Sequence, residues 1–115
     1  MAGSTVQRNA GLTYTLAVTS TAHAAVLVTG YTNDQINYAS FLNTGAAPIA
    51  IRTSSLSTVG APVFPSDGTN GDYVLPAGMT SPLILATPAA PFYLTAVSNS
   101  ATAGLLYVTP VGDQS

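Results

Sequence analysis

The sequence predicts an all-β chain, an antiparallel β-sandwich of about eight or nine short strands. Three observations carry that reading. Apolar and polar residues alternate with period two along most of the chain, and no stretch sets apolar residues at helical spacing between caps. Short β-rich runs recur about every twelve residues, separated by Gly, Pro, Asn and Asp. The 18 alanines are scattered among β-branched residues instead of being grouped into helical faces.

Taken in order, residues 1–11 read as an extended arm, with Gly3, Gly11 and few bulky groups. Leu12, Tyr14, Leu16 and Val18 then point one way while Thr13, Thr15, Ala17 and Thr19 point the other, the pattern of a half-buried strand. Further strands are expected over residues 25–31, 36–42, 48–53, 63–64, 73–75, 82–87, 92–97 and 105–109. Turn chemistry fills the intervals at residues 32–34, 43–45, 66–68, 70–71, 76–78 and 98–100. Residues 54–72, rich in Ser, Thr, Gly and Asp, form the longest loop or a projecting hairpin. All eight prolines fall between positions 48 and 110, and proline cannot donate to a sheet ladder, so the second half is expected to hold the edge strands. Residues 12–115 then make one sandwich domain. Its core is expected from Leu16, Val18, Val26, Val28, Ile49, Ile51, Leu83, Leu85, Phe92, Leu94, Leu106 and Val108.

Only six of 115 side chains are charged: Arg8, Arg52, Asp34, Asp67, Asp72 and Asp113. An ordinary soluble domain carries roughly a quarter. Two arginines cannot build a phosphate-binding stripe or a polybasic membrane tether, so no nucleic acid and no membrane is expected as a partner. Without cysteine there is no disulfide framework, thiolate nucleophile or thiolate zinc site. Sixteen threonines and eleven serines supply most of the polarity. The longest apolar run, residues 24–28, is far short of a membrane-spanning helix. The N-terminal residues lack a basic region followed by an apolar core, so synthesis in a cytoplasm is expected.

Constellations that could carry chemistry are sparse. A Ser-His-Asp triad needs a nucleophile on a strained turn and a base oriented by a buried carboxylate. His23 stands in Ser-Thr-Ala-His-Ala-Ala, and Gly-x-Ser-x-Gly occurs nowhere. Glycoside hydrolysis would have to draw both carboxylates from the four aspartates, with no glutamate present. No glycine spacing makes a phosphate cradle. No enzymatic activity and no cofactor is expected. Asp67-Gly68-Thr69-Asn70-Gly71-Asp72 offers oxygen ligands of the kind calcium takes, but Asp-Gly and Asn-Gly are also tight-turn dipeptides. The turn is the preferred reading and a calcium site the alternative. Of nine aromatics, Phe41 and Phe92 read as core, while Tyr31, Phe64 and Tyr73 flank turns and the long loop. These three, together with Arg52, are the candidate interface residues.

At Phe41-Leu42-Asn43-Thr44-Gly45-Ala46-Ala47-Pro48-Ile49-Ala50-Ile51-Arg52 a strand ends in Asn-x-Gly and the next alternates through Ile49, Ile51 and Thr53. There the chain resembles small virion proteins of tailed bacteriophages. The likeness continues through Val74-Leu75-Pro76-Ala77-Gly78-Met79-Thr80 and Phe92-Tyr93-Leu94-Thr95-Ala96-Val97. It closes with Gly104-Leu105-Leu106-Tyr107-Val108-Thr109-Pro110-Val111-Gly112-Asp113 and covers about residues 36–113. These motifs are turns and strands without functional side chains. The resemblance implies a jelly-roll-like sandwich that decorates or cements a capsid shell, and it implies no catalytic residue.

The expectation is therefore a capsid decoration or cement protein on the exterior of a virion, bound to the major capsid protein and assembled as a dimer or trimer of itself. A surface of Thr, Ser and Ala costs little to desolvate against another protein, which agrees with that role. The alternative is a receptor- or carbohydrate-binding sandwich of a phage tail or fibre, with Tyr73 beside Asp72 and Asn70 as its one local aromatic platform.

Overall fold

The computed structural model describes residues 7–30, 37–89 and 91–113. These residues contain no helix. They form nine strands: β1 (Gln7–Asn9), β2 (Tyr14–Val18), β3 (Val26–Val28), β4 (Tyr38–Asn43), β5 (Ile49–Ser54), β6 (Tyr73–Leu75), β7 (Leu83–Ala86), β8 (Phe92–Ser98) and β9 (Gly104–Asp113). Every pairing is antiparallel. One sheet runs from β1 and β2, which share an edge of β9, through β9 and β4 to β7. The other has the order β3-β8-β5-β6.

The pairings are nested. β2 pairs with β9, β3 with β8, β4 with β7 and β5 with β6, and successive pairs alternate between the two sheets. The chain is thus one long hairpin rolled over itself, and the β4–β9 and β5–β8 ladders stitch its layers into sheets. That is the strand order of a jelly roll.

Period two sets which side chains line the interior. Leu16, Val18, Phe41, Leu106 and Val108 from one sheet meet Val28, Ile49, Ile51, Leu75, Phe92 and Leu94 from the other in a single dry layer. Nine of the twelve expected core positions are buried, and Val26, Leu83 and Leu85 are partly buried against them. Those three stand on the edge strands β3 and β7, which have a neighbour on one side only.

Three expectations are corrected. Leu12 continues the alternation of β2 in sequence but precedes the strand and is 67% exposed. Val63 and Phe64 lie in a non-strand segment. The edges are not confined to the proline-bearing half, since β1, β2 and β3 are edges too, and Pro110 sits inside β9 between two neighbours. The ladder accommodates Pro110 at a break. The pairs Asn9↔Val111 and Tyr14↔Val108 leave residues 10–13 opposite only 109–110, a bulge of two extra residues. Ala10 N donates to Pro110 O at 2.9 Å, so the ring nitrogen faces that same bulge, where a missing donor leaves no gap in a regular ladder. Gly11 completes the bulge, because a Cβ there would stand 2.5 Å from Pro110 Cγ. Residues 7–11, read from sequence as part of an arm, thus run along the sheet's own edge; residues 1–6 lie outside the described set.

Asn43 closes one end of the sandwich. It is fully buried at the end of β4, and every polar atom of its amide is used. Nδ2 donates to Ala47 O and Pro76 O, each at 3.0 Å, while Oδ1 accepts from Gly45 N at 3.0 Å. Its backbone carbonyl accepts from Met79 N, and Gly78 N donates to Gly45 O. One side chain therefore ties the β4–β5 turn to the β6–β7 turn. Asn43→Ala should cost about 2–3 kcal/mol, because it strands the Gly45 amide and two carbonyls in a buried site. Urea unfolding should show this as a lower midpoint at unchanged slope, with Asn43→Asp no better.

Candidate functional site

The two outward faces of the sandwich differ. On the sheet containing β8 and β5, Ala50, Thr95 and Val97 point away from the core, yet all three are buried. The segment between β5 and β6 closes over this face: Thr95 Oγ1 donates to Gly60 O at 3.5 Å. Arg52, also outward on β5, anchors the return of that segment. Its Nε donates to Asp72 Oδ1 at 3.0 Å and its Nη2 to Asp72 Oδ2 at 2.9 Å, a bidentate ion pair. Asp72 Oδ2 also accepts from Val63 N at 2.7 Å, and Asp72 N donates to Val63 O at 2.8 Å. Gly71 permits this approach, since a Cβ there would stand 2.5 Å from Val63 O and from Pro65 N.

Burial pushes the Asp72 carboxyl up, but the Arg52 hydrogen bonds, the Val63 amide and the Arg52 charge outweigh it and hold the group below the usual carboxylate range. Asp67 and Gly68 occupy a tight turn in which Ser66 and Thr69 exchange backbone hydrogen bonds at 3.1 and 2.9 Å. The acidic segment is therefore a turn whose second carboxylate is engaged by Arg52 and Val63. Among the described residues no three His, Cys, Asp or Glu side chains gather where they could hold a metal. The His23 ring bonds its neighbour's carbonyl, with Nδ1 2.7 Å from Ala24 O.

Among the described residues, the face of the other sheet is the more exposed of the two. Its rows read Thr15, Tyr107, Leu42 and then Thr109, Ser40, Ile84 across β2, β9, β4 and β7. Tyr38 and Leu105 on the same face are 41% and 42% exposed. A shallow depression of about 370 Å³ lies between Thr13, Leu42, Pro82 and Tyr107. None of these outward positions carries a charge.

Between the sheets, on the side where β6 and β7 are both edges, a cleft of about 210 Å³ is walled by Phe41, Ile51, Tyr73, Leu85 and Thr87. Tyr73 stands at its mouth, 54% exposed. Thr87 Oγ1 is buried without a hydrogen-bond partner, the kind of group that a bound polar atom would satisfy.

Of the sequence-derived interface residues, Tyr73 and Arg52 lie close together, because Tyr73 directly follows the partner of Arg52. Phe64 is half-buried in the covering segment. Tyr31 lies outside the described residues. Sequence reasoning passed over Leu42, Leu105 and Tyr107 as a surface. The signal was there in the β9 alternation, where both parities are apolar, but only the partner strands show which parity faces out.

Comparison with known protein families, curated proteins and solved structures finds no match to this chain.

The Asp72 pKa carries a pH prediction. The folded state binds this proton less readily than the unfolded chain, so the stabilisation is complete above the unfolded value of about 4 and is lost as pH falls through the folded value. Asp72→Asn should cost about 1 kcal/mol at pH 7, a modest figure because Arg52 is part-exposed. Denaturant unfolding of both proteins should show the gap narrowing below about pH 4.

Proposed function

We propose that this chain is a structural protein of the decoration or cement type, seated on the exterior of an assembled viral shell and binding its major capsid protein. The observation that carries the reading is the exposed sheet face. Strands β2, β4, β7 and β9 as far as Val111 present Leu42, Ile84, Leu105, Tyr38 and Tyr107 among threonine and serine, with no charge over that stretch, while the opposite face is covered by the chain's own loop. Such a face is cheap to desolvate, and aromatic side chains are enriched in protein interfaces. The jelly-roll order agrees with it, as does the sequence resemblance, although this fold also serves lectins.

The rival reading, a glycan- or receptor-binding module, rests on Tyr73 at the mouth of the cleft. It is weakened by Asp72, whose oxygens are already taken by Arg52 and Val63 and are not free for sugar hydroxyls.

Binding through a neutral face should be insensitive to salt, since electrostatic complementarity contributes little to it. Co-sedimentation with phage shells lacking the protein should give the same bound fraction at 50 mM and at 1 M NaCl. Leu105→Asp should abolish binding with the fold intact, and decorated shells should open at a higher temperature than bare ones. Binding that disappears in high salt, or that survives Leu105→Asp but fails in Tyr73→Ala, would transfer the function to the rival reading.

A further inference from the structure

The edge strand β7 presents a second surface of a different kind, made of main-chain groups. Thr87 N donates to Asn37 O at 2.7 Å, which fixes the parity of the ladder between β7 and β4. With the pairs Ala39↔Leu85 and Phe41↔Leu83, the backbone groups of Leu83, Leu85 and Thr87 face β4. Those of Ile84 and Ala86 face the open side, and no described residue bonds them there. Edge strands that stay single are usually guarded by lysine, an inward charge or a bulge, because a row of free donors and acceptors recruits another strand. β7 has none of these three. What limits it is shortness, with four residues, and two prolines, Pro82 just before it and Pro88 two residues beyond its end, both at the outward parity, so each lacks a donor where the edge would otherwise continue.

We propose that β7 pairs with β7 of a second copy of this chain across a two-fold axis at Leu85, joining the two sheets into one. The prolines select this register. With Ile84 opposite Ala86 of the second copy, and the reverse, both donor-bearing residues of each edge are used and four main-chain hydrogen bonds form. Moving the axis by one residue either way sets Ala86 opposite Pro82 or Ile84 opposite Pro88, so that a carbonyl of each edge faces a proline nitrogen and stays unpaired in the contact. An isologous contact needs a surface that tolerates itself, and here charge permits it: neither β7 nor the cleft beneath it carries a charged residue, and the nearby Arg52 and Asp72 neutralise each other. On the inner side Leu85 meets Leu85 of the second copy over the mouths of the two clefts, covering apolar surface that the single chain leaves half-buried. Only four residues pair, so the contact belongs to the small, transient class, with a dissociation constant in the micromolar range or weaker. The pairing does not depend on what the exposed face binds.

The absence of native cysteine makes the register directly readable. Ile84→Cys and Ala86→Cys chains, differently labelled and mixed under mild oxidation, should cross-link to each other, since hydrogen-bonded pairs hold Cα atoms about 5.5 Å apart, within disulfide range. Each variant alone should cross-link at least several-fold more slowly, being offset by about 7–8 Å. Sedimentation of the parent chain up to 1 mM should show a monomer–dimer equilibrium, and Ala86→Pro should weaken it by about tenfold or more without altering the far-UV spectrum. A parent that stays monomeric at 1 mM overturns the proposal. So does a mixed pair that cross-links no faster than the single variants, or no faster than two chains carrying Ala17→Cys. Shell binding by a chain that fails these tests would leave the proposed function standing, and a dimer without shell binding the reverse.

Discussion

Register is the constraint on which the rest of this structure depends. Each strand gives one face to the same dry layer, and with a side-chain period of two a slip of one residue would turn that face to water. Nested pairing enforces it over long sequence distances: β2 meets β9 across some ninety residues of chain, with Leu16 opposite Leu106 and Tyr14 opposite Val108. Once those pairs are set, β3 and β8, then β4 and β7, have few other places to go. The two-residue bulge at 10–13 is the one described place where this edge absorbs a mismatch, and it falls where Pro110 has no donor to lose.

A chain with six charges has few electrostatic means of fixing its loops. Asn43 substitutes a neutral amide for them, satisfying three polar groups at the end where two turns meet. The Arg52–Asp72 pair fixes the other long excursion, and Gly71 allows the backbone approach that the pair requires. The loop so held covers one sheet and leaves the other exposed, and this asymmetry directs the functional reading. Arg52 and Asp72 offset each other in holding that loop, and the strands β2, β4 and β7 of the other sheet carry no charged residue.

Much of the fold was legible in the sequence because period-two alternation and turn residues are local signals. β6 is read at its observed bounds, and β5, β7 and β8 to within a residue, since Pro, Gly or Asn stand beside each. β9 is read short, because Pro110 looks like a terminator when the bulge opposite it cannot be seen. Leu12 is read as part of the half-buried strand β2 for the converse reason: alternation continues in sequence past the point where pairing stops. The site was less legible. Arg52, Asp72 and Tyr73 could each be singled out, but nothing local shows that residues twenty apart form an ion pair. The exposed face and the open edge are properties of strand order, which the sequence does not spell out.

Strand order and the parity it imposes are therefore the centre of the account, and residue-resolved amide exchange on dilute protein tests them most directly. In β7 the amides of Leu83, Leu85 and Thr87 should exchange slowly while Ile84 and Ala86 exchange fast, and in β6 Val74 should exchange faster than Tyr73 and Leu75. In β8, which has a neighbour on each side, both parities should be slow. Uniform protection along β7, or protection at Ile84 and Ala86 with loss at Leu83 and Leu85, would contradict the nested register and, with it, both surfaces assigned from it.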